Sequence, residues 1–347
     1  RDLHSFPTRR SSDLSGCTYS VQEGGVIVNR FASQRRVDDT LADWFDLILD
    51  RHHLQPFDVL HGFFLVQAGF LAAYAGNYLQ LPSVVSARGN DLDRSVFHPG
   101  KAAHILYALQ HSRAITANAH HLVRKAQALA PGKIADYIPN SVDGGLFYPG
   151  ERDVGLTKAL DLDGRLVIGF TGEARSKKGL ATQLLAFEKV AEWRNVTLLL
   201  VGGVRKGEDQ ELLHVFQKQK PFLHIRALPT VALDQMPAYY RLMDVFWMPS
   251  LRDGMPNSLL EAMACEKAVV GTPVGGIADL LSHPGTGRLV PAGDVSALAE
   301  TTIRLLDHPE ERQSIGKTAR DWVCQNYSSD KELQANLQVY LRVLHAA

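Results

Sequence analysis

The chain contains two carboxylates, Asp253 and Glu261, eight positions apart at a predicted junction between a loop and a helix. They lie in residues 249–281, which read PSLRDGMPNSLLEAMACEKAVVGTPVGGIADLL. Gly254 permits close approach of a ligand to the backbone. Pro256 suits the first position of a helix, because its φ is already helical and its missing N–H would have no partner there. The pattern therefore predicts a helix that starts near Pro256.

The start of this predicted helix is suited to binding an anion. The first-turn amides of Asn257, Ser258 and Leu259 have no acceptor within the helix and point along the positive end of its dipole, where a diphosphate can sit. Glu261 lies one turn further on, on the same helical face as Asn257. Its carboxylate offers four acceptor sites, which suits a vicinal diol such as a ribose. The alternative is purely structural, since LLEAMA is a good helix sequence and acidic residues favour helix starts without any ligand.

The order of the neighbouring segments favours the ligand-binding interpretation. Strand-like DVFWMPS at 244–250 precedes the helix, AVVGT at 268–272 follows it, and Gly275-Gly276 opens another turn. Successive strand ends therefore converge on one edge, which is where open α/β sheets bind ligands.

This stretch resembles the retaining glycosyltransferases of family 4, which have the GT-B architecture. Their signature, PSxxEGxPxxxLEAMAxGxPVVxTxxGG, holds two glutamates separated by seven residues. Here Asp253 replaces the first glutamate and Glu261 is the second, while Glu266 and Ala268 replace a Gly and a Pro. The resemblance implies that Glu261 binds the donor ribose and that Asp253, counted with the catalytic residues, faces the sugar hydroxyls. It implies a donor site formed by Gly172, Gly254, Met255, Pro256, Asn257, Ser258, Leu259 and Glu261.

A second cluster lies in residues 166–190, LVIGFTGEARSKKGLATQLLAFEKV, which predict a strand, a turn with three cations and an amphipathic helix. In the resembling family, a Lys before a Gly at this turn and an Arg a few residues earlier bind the donor phosphates. Lys178 precedes Gly179 as expected, whereas Glu173 stands at the usual Arg position and Arg175 follows two residues later. By resemblance, Lys178 and Arg175 are catalytic residues that contact the phosphates. The alternative is a basic turn that is merely solvated. No GxxxxGK[ST] motif supports phosphoryl transfer.

The loop after the strand-like PSVVSA segment differs from the family pattern. Many members have a His before a Gly here, and this His approaches the donor sugar; in this chain Arg88 precedes Gly89. Arginine stays protonated and cannot act as a base, but it can position a phosphate or a sugar oxygen. The alternative is an exposed arginine that pairs with Asp91 or Asp93. The residues assigned to the acceptor side are Arg88, Gly89, Asn90 and His61.

Metal binding is not predicted. His61 and the pair His120-His121 lack the spacing of metal ligands on one element. The resembling family also needs no metal, so we expect no cofactor beyond a nucleoside-diphosphate sugar as co-substrate.

The predicted fold is α/β, with two Rossmann-like domains facing across a cleft. Short strand-like and helical segments alternate up to about residue 137, which favours a parallel sheet with crossover helices. These segments are VIVNRF, a helix over 38–53, DVLH at 58–61, a Gly/Ala-rich helix, PSVVSA at 82–87, helices near 101–112 and 119–129, and KIADYIP. IPNSVDGGLFYPG resembles the family's passage between domains, with Ser141 in place of a Gly. Strands and helices resume at residue 166, and residues 294–346 read as helices.

The domain prediction has four parts. It comprises a non-native segment at 1–15, a partial acceptor-side domain at 16–145, a nucleotide-sugar domain at 146–327, and a helix at 328–347 that crosses back to the first domain. The first segment, RDLHSFPTRRSSDLS, has no hydrophobic period and no initiating Met, and it resembles a translated sequencing adapter. We therefore expect the first domain to lack its first strand and its first Gly-rich loop.

Composition supports an ordinary soluble enzyme. With 347 residues, 45% hydrophobic and 21% charged, the chain can form two cores. Its net charge is zero. The dense basic cluster is the short turn at 175–178, and nothing else suggests a nucleic-acid partner. Three cysteines, Cys17, Cys265 and Cys324, show no CxxC spacing, which favours a reducing compartment such as the cytoplasm. No apolar run reaches transmembrane length. Peripheral membrane contact through the N-terminal region that we expect to be missing stays open.

The predicted activity is transfer of a sugar, with retention, from a nucleoside-diphosphate sugar to the hydroxyl of an unidentified glycan, lipid or small-molecule acceptor. Retention ordinarily suggests a pair of catalytic carboxylates. Here Asp253 and Glu261 are better used in holding the donor, and the resembling family is thought to react on one face, with the leaving phosphate taking the acceptor proton. Two alternatives stay open: a GT-B sugar-nucleotide epimerase, and a protein or inactive fragment that binds a sugar nucleotide without turning it over.

Overall fold

The structure is a computed structural model that describes residues 19–23, 25–30 and 36–345. The predicted foreign segment at 1–15 lies outside these ranges. No helix in the described part of the chain is long and apolar enough to cross a membrane.

The first two described strands form a hairpin apart from the main sheets. Strand β1 (Tyr19–Glu23) pairs antiparallel with β2 (Val26–Arg30). The prediction that VIVNRF joins the parallel sheet is therefore wrong. Val26 and Ile27 keep 49% and 51% of their surface exposed, whereas a strand inside a parallel sheet is covered on both faces.

A four-stranded parallel sheet forms the centre of the N-terminal domain. Its strands, in spatial order, are β3 (Leu60–Phe63), β4 (Ser83–Ala87), β5 (Ala114–Ala117) and β6 (Ala135–Tyr137). The flanking helices are α1 (Val37–Leu54), α2 (Phe70–Leu79), α3 (Asn90–Asp93), α4 (Pro99–His111) and α5 (His120–Leu129), with a π-helical turn at Leu65–Gly69 and a 3₁₀ turn at Ser95–Phe97. β3 begins two residues later than predicted, after the exposed Asp58, and its outer edge pairs with no strand of the described ranges.

Six parallel strands form the sheet of the C-terminal domain. They are β7 (Leu166–Thr171), β8 (Val196–Val201), β9 (Ile225–Leu228), β10 (Val245–Met248), β11 (Ala268–Gly271) and β12 (Arg288–Leu289). The helices are α6 (Val154–Ala159), α7 (Leu180–Ala191), α8 (Glu208–Gln219), α9 (Met236–Leu242), α10 (Asn257–Ala264), α11 (Gly275–Leu281), α12 (Val295–Asp307) and α13 (Pro309–Asn326). Strands β8, β10 and β11 are buried along their whole length, as their continuous apolar sequences require when helices cover both faces.

The strand order of this sheet is β12-β11-β10-β7-β8-β9. After β7 the chain first extends the sheet on one side, through β8 and β9, and then on the other, through β10, β11 and β12. The reversal between β7 and β10 opens a crevice at the carboxyl ends of these two strands, and such crevices bind ligands in open α/β sheets. Both predicted donor-binding segments leave the sheet at this point.

The last helix, α14 (Ser329–His345), returns to the N-terminal domain. Val339 and Val343 pack against Val84, Ala114 and Ile138. Arg342 also pairs with Asp136 on β6. This helix therefore packs against the N-terminal sheet.

Candidate functional site

Two loops meet at the reversal point of the C-terminal sheet. The first follows β7 and ends at Gly179; the second follows β10 and begins at Pro249. Gly179 has φ +76°, and a Cβ added there would lie 2.2 Å from the carbonyl oxygen of Pro249. The amide of Leu251 donates to the carbonyl of Lys177 at 2.9 Å. The glycine thus lets the two backbones touch, which brings their polar side chains together.

The contact between these loops places Lys178 against Asp253. Their side chains form an ion pair in which 15% and 12% of the respective side-chain surfaces stay exposed. The hydroxyl of Ser250 lies 3.5 Å from the same Asp253 oxygen. Two of the three predicted catalytic residues are therefore direct partners, although 75 positions separate them in the chain.

Glu261 lies on α10 and is held by a tyrosine that the sequence analysis did not single out. The Tyr240 hydroxyl donates to Glu261 Oε2 at 2.6 Å and lies 2.7 Å from the Thr171 hydroxyl. Burial raises the pKa of the Glu261 carboxyl, and the hydrogen bond from Tyr240 opposes this shift. Burial also raises the pKa of Tyr240, so its hydroxyl keeps the proton that it donates. The bond fixes one carboxylate oxygen and leaves the other for a ligand.

The start of α10 differs in detail from the prediction. The helix begins at Asn257, and Pro256 precedes it with an extended ψ of 122°, so Pro256 is not the first helical residue. The amide of Leu259 is not free, because it donates to the Pro256 carbonyl at 3.1 Å. Among the described residues, the amides of Asn257 and Ser258 have no acceptor. Two amides, rather than three, are available to an anion at the positive end of the dipole.

Glycines shape the loop before α10. A Cβ at Gly275, whose φ is +53°, would lie 1.7 Å from the carbonyl oxygen of Asp253. The amide of Gly276 donates to the carbonyl of Gly254, next to the buried Met255. The Gly275-Gly276 turn therefore fixes the backbone that carries Asp253.

The turn after β7, residues 172–179, carries an acid between two cations. Glu173 lies 3.1 Å from the guanidinium of Arg175 and 3.4 Å from that of Arg205. The Arg175 Nε is buried and has no hydrogen-bond partner in the described structure. Nearby, Gly172 has φ +108°, and a Cβ there would meet no atom within 4 Å, so it leaves open space at the end of β7. Arg205 thus adds a fourth cation at this edge, beside Arg175, Lys177 and Lys178.

On the opposite domain, Arg88 does not pair with Asp91 or Asp93 through its side chain. Its Nη1 donates to Asn140 Oδ1 at 2.6 Å, while the Asp91 carboxylate accepts the Arg88 backbone N–H at 3.0 Å. Asp93 instead pairs with Lys125 at 2.6 Å. The alternative of an exposed ion pair is therefore wrong.

Asn140, in the passage between the domains, joins the two predicted halves of the site. Its Nδ2 donates to the Met255 carbonyl at 2.9 Å and to Asn257 Oδ1 at 2.6 Å. Its Oδ1 accepts the hydrogen bond from Arg88 Nη1. The Arg88 carbonyl lies 2.8 Å from the position that a Cβ at Gly254 would occupy. The start of α10 consequently faces the Arg88 loop in direct contact.

The other acceptor-side residues lie around this junction. Asn90 accepts a hydrogen bond from Lys177 at 3.0 Å, and Gly89, with φ +121°, lies against Gly254. His61 is half-buried, and its ring nitrogens form hydrogen bonds with the hydroxyls of Tyr340 at 2.6 Å and Ser86 at 2.7 Å. Burial and the nearby Arg88 charge lower the pKa of His61 to about 4, so it is neutral near pH 7.

No group of three or more His, Cys, Asp or Glu side chains in the described part of the chain is arranged to hold a metal ion. His120 stacks on Tyr137, and His121 lies 3.4 Å from Asp93.

Three residues of this junction were missed by sequence reasoning: Tyr240, Asn140 and Arg205. Asn140 lies within the predicted interdomain segment, and that position is its signal in the sequence. Tyr240 and Arg205 carry no sequence pattern that marks them. They reach the site because β8 and α9 end beside β7 and α10.

Solved structures with the same architecture identify the class of fold. The sucrose-phosphate synthase of Thermosynechococcus elongatus superposes with a TM-score of 0.79 at 18% identity, over 99% of this chain and 88% of that one. The Anabaena protein HepE, in complex with UDP-glucose, gives 0.77 at 20% identity, over 91% and 85% of the two chains. The fold is GT-B, with two Rossmann-like domains facing across a cleft.

Sequence comparisons narrow the class. Residues 165–308 match the family described as Glycosyl transferases group 1. The N-acetyl-α-D-glucosaminyl L-malate synthase of Bacillus anthracis is 26% identical over 83% of this chain and 75% of its own length. The 2-deoxystreptamine glucosyltransferase of Streptomyces kanamyceticus is 28% identical over 71% of this chain and 65% of its own length. The C-terminal half of the chain therefore contains a Glycosyl transferases group 1 domain, and the relatives are consistent with an enzyme of hexosyltransferase type.

Proposed function

We propose that the chain transfers a sugar, with retention of anomeric configuration, from a nucleoside-diphosphate sugar to an acceptor hydroxyl. The observation that carries the proposal is the meeting of three donor-binding features at one sheet edge. Lys178 supplies a cation, the amides of Asn257 and Ser258 supply free donors at a helix start, and Glu261 supplies a carboxylate one turn away. Their chemistry complements a diphosphate attached to a ribose.

In this proposal, each residue has a separate task. Glu261, fixed by Tyr240, accepts hydrogen bonds from the ribose hydroxyls through its second oxygen. Lys178 and Arg175 contact the diphosphate, whose negative charge grows as the bond to the sugar breaks. Cations and amides already in place there stabilise the transition state more than the ground state.

Asp253 has two partners in this mechanism. It holds Lys178 in the unliganded protein, and it faces the sugar hydroxyls once the phosphate has taken over Lys178. No protein nucleophile is assigned, and the departing phosphate receives the proton of the acceptor hydroxyl. Catalysis thus depends on charge stabilisation and positioning rather than on a covalent intermediate.

The first donors to examine are UDP-sugars, because the neighbouring HepE structures contain UDP, UDP-glucose, or UDP with glucose. We further propose that turnover needs no divalent metal, since cations and helix amides already surround the predicted diphosphate position. Activity that persists in a chelator would support this, and activity restored only by a divalent ion would refute it. The free thiols of Cys265 and Cys324 support a reducing, cytoplasmic setting.

A panel of sugar nucleotides tests the function. The protein is incubated with each one, with and without mixed candidate acceptors, and the release of nucleoside diphosphate and the identity of the sugar are measured. The proposal expects release that acceptors stimulate, and a product whose anomeric configuration matches the donor. An epimerised free sugar nucleotide would indicate an epimerase, and binding without any release would indicate a non-catalytic binding protein.

A further inference from the structure

A cleft of roughly 710 Å³ opens between the domains beside the start of α10. Its walls come from the ends of β3 and β4, from the interdomain passage, from α10 and from α14. The residues used below are Phe63, Phe64, Arg88, Asn140, Ser141 and Glu332.

The guanidinium of Arg88 has no carboxylate partner among the described residues. It forms one side-chain hydrogen bond, to the neutral Asn140, and it lies 4.6 Å from the centre of the Phe63 ring. A guanidinium has five N–H donors, so most of its hydrogen-bonding capacity is left for another group. Burial lowers the pKa of this guanidinium, and the nearby charges of Glu332 and Asp91 offset only part of that effect. An anionic ligand in direct contact would therefore stabilise the cation further.

Neither of the two nearby acids, Asp91 and Glu332, contacts the Arg88 guanidinium directly. The Asp91 carboxylate accepts the backbone N–H of Arg88 rather than its side chain, at 3.0 Å. Glu332, on α14, accepts the hydroxyl of Ser141 at 2.5 Å. Glu332 lines the same cleft, so its charge opposes an anion there without neutralising Arg88 by direct contact.

Phe64 adds an aromatic surface to the cleft. Its backbone is in the left-handed region, with φ +70°, which is unfavourable for a bulky residue and is found mainly at functional positions. The π-helical turn at 65–69 follows directly, and such turns are also frequent at functional sites. Phe64 is 57% exposed, and its ring stacks on no other ring in the described structure. An exposed ring in a cleft is suited to the apolar face of a sugar or another ring.

We propose that the acceptor is a ring-containing hydroxyl compound carrying a carboxylate or phosphate group, with the anion bound by Arg88 and the ring placed on Phe64. This assignment of an acceptor class rests on the proposed transferase function, but anion binding at Arg88 is measurable without turnover. The anionic group of the acceptor only binds to the protein and takes no part in the transfer of the sugar.

Calorimetric titration with three probes tests the proposal: D-glucose, D-glucuronate and D-glucose 6-phosphate, each with UDP already saturating the donor site. We expect at least one anionic probe to bind about tenfold tighter than glucose, as one or two charge-assisted hydrogen bonds provide. Comparing glucuronate with glucose 6-phosphate distinguishes a carboxylate from a phosphate acceptor. Arg88→Gln should abolish the preference, whereas Arg124→Gln, at an exposed position on α5, should leave it unchanged. Glu332→Gln should strengthen anion binding severalfold, because it removes a like charge from the cleft.

Equal binding of glucose and both anionic probes, or binding of none of them, would overturn the proposal, as would a preference that survives Arg88→Gln. UDP binding is recorded first in the same experiment. If UDP fails to bind, the proposed transferase function is refuted, and titrating the three probes without UDP in the wild type and Arg88→Gln still decides whether Arg88 selects an anion.

Discussion

The ion pair between Lys178 and Asp253 leads to a prediction about stability. Replacing Lys178 by Met leaves the Asp253 carboxylate without its cation, and replacing Asp253 by Asn leaves the ammonium of Lys178 without its anion. Breaking one side of a buried pair typically costs about 3 to 5 kcal/mol. Because 15% and 12% of these side chains stay exposed, we expect the lower end, about 3 kcal/mol for each single change.

The double variant, which combines Lys178→Met with Asp253→Asn, has no orphaned charge. It should therefore be less destabilised than the sum of the single variants by about 2 kcal/mol, within the usual range for directly coupled residues. Urea unfolding of the four proteins, followed by fluorescence and fitted with a shared slope, measures this coupling energy. Additivity within about 0.5 kcal/mol would show that the two side chains are not partners and would refute the site geometry.

Three further predictions concern the donor site and its loops. Burial raises the pKa of Glu261, so nucleoside-diphosphate affinity should fall on acidification, starting at a higher pH than for an ordinary glutamate. The variant Glu261→Gln should bind the nucleoside diphosphate weakly and without this pH dependence. Calorimetry from pH 5 to 8 measures both affinities. Glu173→Gln should increase UDP affinity up to about fivefold, because it removes an acid from the turn that is proposed to bind the diphosphate. This magnitude corresponds to an exposed ion pair worth up to about 1 kcal/mol. Unchanged or weaker UDP binding would contradict the prediction. Gly179→Ala should lower stability by more than about 2 kcal/mol, since its Cβ would lie 2.2 Å from the Pro249 oxygen. The control is Gly132→Ala, because Gly132 has a similar φ of +85° but no atom within 4 Å of the added Cβ. If thermal unfolding shows an equal loss of stability in both variants, the effect is due to φ alone and not to the contact with Pro249.

Much of the fold follows from the sequence because strand and helix segments alternate with clear periods. The exceptions are short or exposed segments. Strand β5, read as AITA, was not predicted, since four residues with two alanines give no periodic signal; its identity as a strand comes from pairing with β4 and β6. VIVNRF has the composition of a sheet strand, and its hairpin pairing depends on contacts that composition does not encode.

The candidate site was partly predictable for a similar reason. Lys178, Asp253 and Glu261 stand in recognisable local patterns, and the strand order brings their loops together. Their partners come from distant elements: Tyr240 reaches Glu261 from α9, and Asn140 reaches α10 from the interdomain passage. Such contacts depend on how layers pack, and no spacing along one segment reveals them.

A crystal structure of the protein soaked or co-crystallised with UDP tests the central claim most directly. The account predicts the diphosphate at the amides of Asn257 and Ser258, within hydrogen-bonding distance of Lys178, and the ribose hydroxyls on the free oxygen of Glu261. Lys178 should then have moved from Asp253 to the phosphate. A nucleotide bound elsewhere, or bound at this edge with Glu261 making no contact to the ribose, would contradict the account.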